Sequence, residues 1–100
     1  MEIPIACTLG PGDARSQLDE WHEVLRRVVD RSDRVTPRRL ELGLVPGADI
    51  APVIDLARRE VACCPFFAFS ILIRAERLVL AVEVPDDAVA VLDELARTTG

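Results

Sequence analysis

The sequence contains no lysine and no asparagine, and only three of its 100 residues are cysteine. All twelve basic residues are arginine, a usage typical of a GC-rich bacterial genome that carries no information about function. Three cysteines are an odd number and too few for a disulfide framework. In a reducing compartment they are therefore expected to be free thiols or metal ligands.

The chain also lacks a basic stripe and a long apolar run. Its net charge is −5 and its arginines are scattered, which excludes a typical nucleic-acid-binding surface. The longest apolar run, residues 61–73, is interrupted by Pro65 and Ser70 and is shorter than the roughly 20 residues of a membrane span. The N-terminus has no positively charged segment and does not resemble a signal peptide. We therefore predict a cytoplasmic protein with no nucleic-acid or membrane partner.

Length and composition favour one folded domain. Half of the residues are hydrophobic and 29% are charged, which is ordinary for a soluble globular chain. A chain of this length buries roughly two thirds of its unfolded surface, enough for one core. We therefore predict a single domain over residues 1–100.

The first half of the chain alternates between strand and helix patterns. Residues 3–9 show the two-residue period of a half-buried strand, which Pro4 places at a sheet edge or near a strand start. Asp13 is suited to cap a helix over residues 14–30. Residues 40–44 alternate again and predict a second strand.

The second half begins with a helix that Asp49 is suited to cap and Pro65 is suited to end. Its predicted apolar face is Val53, Ile54, Ala57, Val61 and Cys64. Residues 67–73 and 78–84 predict a hairpin.

A third helix is predicted after Pro85, with Asp86 and Asp87 as capping candidates. The order β-α-β-α-β-β-α predicts a two-layer α+β sandwich, related to ferredoxin-like folds. Because strands joined through helices usually run parallel, we expect a mixed four-stranded sheet with the helices on one face.

The segment "REVACCPFFAF", residues 59–69, places Glu60, Cys63 and Cys64 within one helical turn. Neighbouring helical residues point about 100° apart, which separates adjacent thiols. The residue before a proline is disfavoured in the α region, so Pro65 can turn Cys64 toward Cys63. The pattern is thus compatible with two sulfurs on one ion.

"IACTL" near the start, a helix carrying "WHEVLRR" and the segment "DLARREVACCPFFAFSILI" together resemble a group of small, largely uncharacterised bacterial proteins. These proteins share a Glu-x-x-Cys-Cys-Pro-Phe core and turn up near mercury or other heavy-metal resistance functions. The resemblance covers nearly the whole chain and implies a shared site of Glu60, Cys63 and Cys64, with Cys7 also matching. The hairpin departs from the pattern, because "RAERLVLAVEVPDD" replaces a glycine-rich turn and a Gly-Pro ending. No established activity comes with the resemblance.

Three interpretations of the cysteine pair stay open. Free cysteine packs as a small hydrophobe, so the pair can belong to a structural or dimerisation module. In the second case the partner is another copy of the chain, and the protein is a homodimer. Thiolates also prefer soft ions, which predicts binding of mercury, arsenic, copper or zinc, or of an organometal compound. A thiol-dependent enzyme is disfavoured, because the negative end of the helix and Glu60 both oppose a free thiolate unless Arg58 or Arg59 folds back.

The remaining candidates are weaker. A buried core position is the favoured interpretation of Cys7, because a parallel arrangement places it opposite the helix end that carries Cys63. A site of three thiols would then need another strand order, or a thiol supplied by a dimer partner. Glu60 is either a solvated helix residue or a carboxylate that supports the thiols, and His22 is interpreted as a surface or boundary residue. We predict a small thiol protein that binds a soft metal, metalloid or organometal through Cys63 and Cys64.

Overall fold

The computed structural model describes residues 11–63 and 67–97, without the side chains of residues 11–17 and of Cys63. Three helices and four strands follow one another in this part of the chain. In chain order they are α1 (Pro11–Val28), β1 (Val29–Thr36), β2 (Arg39–Leu44), α2 (Ala51–Cys63), β3 (Ala68–Ile73), β4 (Leu78–Glu83) and α3 (Val89–Ala96).

The four strands form one sheet in the order β1-β2-β4-β3, and each neighbouring pair is antiparallel. The predicted mixed pairing is therefore wrong for the described residues. The strands on either side of α2, β2 and β3, do point the same way, as a helical connection favours. They are not neighbours, because β4 turns back from β3 and pairs with β2 between them.

A single layer of helices covers one face of this sheet, which confirms the predicted α+β fold. Leu40, Leu42 and Leu44 of β2 alternate toward that layer and are almost completely buried. Residues of β4 do the same, and all three helices contribute to the same core. The most buried of these partners are Trp21, Leu25, Val53, Leu56, Leu80, Val82, Leu92 and Leu95.

The strand β1 was not predicted from the sequence. Its segment "VDRSDRVT" is charged and mostly exposed, so it lacks the hydrophobic period of a half-buried strand. The predicted helix over residues 14–30 instead ends at Val28, where β1 begins. The predicted strand over residues 3–9 lies outside the described residues.

The buried face of α2 differs from the predicted one. Val53, Leu56 and Glu60 are buried, whereas Ile54 and Val61 are exposed by 40% and 41%. The spacing of three and four residues between the buried positions is that of one helix face. The buried series includes a glutamate, whereas the neighbouring face is entirely apolar. Hydrophobic spacing therefore predicted the neighbouring face.

The structure confirms the predicted cap of α2 and contradicts the predicted caps of α3. The main-chain N–H of Ala51 donates to Asp49 Oδ1 at 3.1 Å, which confirms the predicted cap of α2. Asp86 and Asp87 do not cap α3, because they lie in a 3₁₀ turn, Asp86–Ala88, without a side-chain capping hydrogen bond. Asp86 instead pairs with Arg38 at 3.5 Å.

The helices α1 and α2 run in opposite directions. The N–H of Val45, just after β2, donates to the carbonyl of Val28 at 2.7 Å, so α1 ends near the point where the chain enters α2. We call the other end of the sheet the cysteine end: it is the end at which α2 finishes at Cys63 and β3 begins at Ala68. The beginning of α1 therefore lies toward the cysteine end.

Candidate functional site

The cysteine pair begins at the last residue of α2. This helix ends at Cys63, two residues before Pro65, as expected for a helix that a proline stops. Cys7, Cys64, Pro65 and Phe66 lie outside the described residues, as does the side chain of Cys63. Convergence of the sulfur atoms therefore stays a prediction.

Glu60 lies one helical turn before Cys63 and is only 8% exposed. Among the described residues it is the one charged residue that is buried, so the interpretation of Glu60 as a solvated helix residue is wrong. It also takes part in a polar or electrostatic interaction, as a buried carboxylate must to offset its loss of hydration. The fold thus keeps this carboxyl group inside the protein, one helical turn before Cys63 along α2.

An aromatic stack supports the same region from the core. The rings of Trp21 and Phe69 are 5.5 Å apart between centroids, and those of Phe69 and Phe67 are 5.3 Å apart. Trp21 and Phe67 are buried, and Phe69 is partly buried against the core. Phe67 and Phe69 therefore belong to the apolar core that lies beneath the cysteine end.

Arg59 does not supply a free cation to this end of α2. Its guanidinium contacts Glu20 of α1 at 2.9 Å and Asp55, one turn earlier in α2, at 3.3 Å. The hydrogen bond to Glu20 raises the pKa of Arg59 above its usual value. Because this charge is committed to two carboxylates, it does not offset the negative helix end that opposes a free thiolate.

His22 is positioned by α3 rather than by the cysteine end. Its Nε2 donates to the main-chain carbonyl of Glu94 at 2.8 Å, and the ring is half-buried. This confirms the prediction of a boundary residue. A protonated Nε2 in this hydrogen bond is not available as a metal ligand.

An open apolar groove of about 510 Å³ runs along α2 toward the cysteine end. It reaches Ala62, the residue before Cys63, and Phe69 of the aromatic stack forms part of its wall. The groove follows the exposed flank of α2 that carries Ile54 and Val61. Its lining is Val53, Ile54, Ala57, Arg58, Val61, Ala62, Phe69, Ser70, Ile71 and Leu80.

The helix-free face of the sheet holds a second depression, of about 690 Å³. Arg31, Arg74 and Arg77 line it, together with an equal number of carboxylates, so its charge is locally balanced. Arg74 pairs with Glu41 at 3.2 Å. The sequence did not predict this cluster because Arg31 lies on the unpredicted strand β1. We assign no ligand to an ion-paired surface of this kind.

No group of three histidine, cysteine, aspartate or glutamate side chains within the described residues is arranged to hold a metal ion. That statement does not cover the three thiols, because Cys7 and Cys64 lie outside those residues and the side chain of Cys63 is not described. Among the helices that the structure describes, none has the length and apolar character needed to cross a bilayer.

Comparison of the chain with protein-family models, with curated proteins and with solved structures finds no match.

Proposed function

We propose that this protein binds a soft metal ion, a metalloid or an organometal compound through Cys63 and Cys64. The observation that carries the proposal is the buried Glu60, one turn before a vicinal cysteine pair at a helix C-terminus. An ionised carboxyl group at position 60 and the negative end of the helix both raise the free energy of an unbound thiolate. A bound cation or a neutral thiol adduct relieves that cost, whereas a catalytic thiolate does not.

The donor atoms decide the class of ligand. Sulfur donors prefer soft ions such as mercury, arsenic, copper or zinc over magnesium and calcium, which take oxygen ligands. The groove that ends at Ala62 offers apolar surface for the organic group of an organometal compound. A cytoplasmic location would keep the thiols reduced and available for such ligands.

The alternative function is a dimerisation module whose cysteines are merely packed. The edge strand β3, "AFSILI", carries no charge, and Ile73 at its end is 85% exposed. Edge strands of this kind are prone to pair with another chain. Titration with a thiol reagent separates the two functions: packed thiols react only after denaturation, whereas ligand thiols react in the native protein and are protected by the bound ion.

The proposal predicts selective binding by the reduced protein. Isothermal titration calorimetry is expected to show tight binding of Hg(II) and of phenylarsine oxide, and no binding of Mg(II) or Ca(II). Combined substitution Cys63→Ser and Cys64→Ser is expected to abolish binding of both thiophilic ligands. Circular dichroism of the variant establishes that the fold is retained.

Ala51→Ser is the matched control, because it adds a hydroxyl to an exposed position at the other end of the same helix, away from the groove, and leaves both thiols in place. It is expected to bind as the wild type does. Absence of binding by the wild type, or equal binding by the double serine variant, would contradict the proposal.

A further inference from the structure

The residues that line the apolar groove along α2 divide by burial into a floor and a rim. Val53 and Leu80 of the floor are almost completely buried, and Phe69 is partly buried against the core. Ile54 and Val61 of the rim keep 40% and 41% of their surface exposed. A molecule that enters the groove therefore meets fixed core side chains below and apolar side chains at its edge.

The dimensions of the groove suit a small organic molecule. Its lining on α2 extends from Val53 to Ala62, which is ~14 Å along a helix axis. Its volume of about 510 Å³ lies within the range of roughly 300–1,000 Å³ that is usual for small-molecule sites. Such sites are mainly apolar, with a few polar groups that fix the orientation of the ligand. A fused aromatic ring system or a short alkyl chain therefore fits.

Arg58 gives this apolar groove a positive charge. No carboxylate of the described residues lines the groove, and Arg58 forms no ion pair or side-chain hydrogen bond with any of them. The acidic residues near it on α2 are engaged elsewhere, because Asp55 pairs with Arg59 at 3.3 Å and Glu60 is buried on another face. The depression on the helix-free face differs, because carboxylates balance its arginines.

We infer that the groove binds a small amphipathic organic anion, a carboxylate or sulfonate with an apolar body. The apolar body lies on the floor and removes the exposed parts of Ile54 and Val61 from water. The guanidinium of Arg58 donates to the oxygens of the anionic group, with the bidentate geometry that arginine forms with carboxylates. The inference does not rest on the thiols, because the groove is lined without them.

Two electrostatic effects oppose each other in the binding of an anion. The net charge of −5 repels it at long range. At physiological ionic strength that repulsion is screened over ~8 Å, whereas Arg58 acts at contact. The contact therefore decides, and it favours the anion over a neutral molecule of the same shape. Because the arginine is exposed to water, the expected preference is modest, about fivefold.

A pair of ligands, 2-naphthoate and 2-naphthamide, tests the inference, because they share a ring system and differ in charge. In calorimetry of the reduced protein, the wild type is expected to bind 2-naphthoate about fivefold more tightly than 2-naphthamide. Arg58→Gln is expected to weaken 2-naphthoate by about fivefold and to leave 2-naphthamide within about 1.5-fold. Arg31→Gln, the matched control, removes the same charge on the helix-free face and is expected to change neither affinity.

Two further measurements locate the ligand. In NMR spectra of the wild type, 2-naphthoate is expected to shift the amide signals of Ala57, Val61 and Ile71, which requires no variant. The variant with both Cys63→Ser and Cys64→Ser is expected to bind 2-naphthoate as the wild type does. This result separates the inference from the proposed function, which is tested with mercury and arsenic reagents.

Several results would overturn the inference and leave the thiol function standing. Equal binding of the two ligands by the wild type is one, and an unchanged preference in Arg58→Gln is another. Shifts confined to residues outside the groove, or loss of 2-naphthoate binding in the double serine variant, would place the ligand elsewhere. A dimer in sedimentation velocity that 2-naphthoate does not dissociate and that Ile54→Glu converts to monomer would show that a second copy occupies the groove.

Discussion

Leu42 and Ile73 show how differently two aliphatic residues of the same sheet contribute to stability. Leu42 lies in the central strand β2, faces the helices and is completely buried. Ile73 lies at the end of the edge strand β3 and is 85% exposed. Truncating a buried leucine removes transfer free energy and leaves a cavity, whereas truncating an exposed isoleucine does neither.

We therefore expect Leu42→Ala to lower the free energy of unfolding by about 2–5 kcal/mol. Ile73→Ala, its matched control, is expected to change it by less than about 0.5 kcal/mol. Urea denaturation of the reduced proteins measures both values. A loss of more than about 1 kcal/mol in Ile73→Ala would indicate that this side chain is buried in solution, for instance against a second copy of the chain.

Glu60 shows what the sequence could and could not reveal about single residues of the site. Its proximity to the cysteine pair was evident from the spacing alone. Its burial was not, because charged residues are rarely buried and the neighbouring face of α2 is more apolar. The series Val53, Leu56 and Glu60 nevertheless has helical spacing, so a pattern that admits one buried carboxylate would have indicated the correct face.

At the scale of secondary structure, elements with a strong hydrophobic period were predictable. The hairpin of β3 and β4 and the helices α1 and α2 agree with the prediction to within a few residues. The strand β1 could not be found in this way, because it forms a sheet edge with polar residues on both faces. Charges on an edge strand prevent pairing with other chains, and they erase the alternation that identifies a strand.

The proline after α2 provides a test at this scale. If Pro65 ends the helix and turns Cys64 toward Cys63, Pro65→Ala is expected to let α2 continue and to separate the two sulfurs by the helical angle. Binding of phenylarsine oxide is expected to weaken by tenfold or more, about 1.4 kcal/mol. Calorimetry gives the affinity, and circular dichroism shows whether helix content rises.

The control for this variant is Pro52→Ala, in the first turn of α2, where proline is exposed and well tolerated. It is expected to leave the affinity unchanged. A folded Pro65→Ala protein that binds as tightly as the wild type would show that the proline only stops the helix.

At the scale of the whole molecule, the arrangement is two α-β-β units whose hairpins meet along β2 and β4. The sequence predicted the class of this fold but not its pairing. Local patterns determine which segments are strands, whereas the choice of β4 over β3 as the neighbour of β2 depends on packing between distant segments. The same limit applied to the site, because the antiparallel packing of α1 and α2, which brings the start of α1 toward the cysteine end, is also a contact between distant segments.

A ligand bound at the cysteine end should also stabilise the folded state of the whole molecule. Binding to the folded state alone adds about 2.7 kcal/mol when the free ligand is at 100 times its dissociation constant. For a domain of this size each 1 kcal/mol raises Tm by roughly 4–8 °C, so we expect saturating phenylarsine oxide to raise Tm by about 10 °C or more. Differential scanning calorimetry with a phosphine reductant measures this without a competing dithiol. The variant with both Cys63→Ser and Cys64→Ser is expected to show no shift, and an equal shift in that variant would mean that the ligand stabilises the protein from another site.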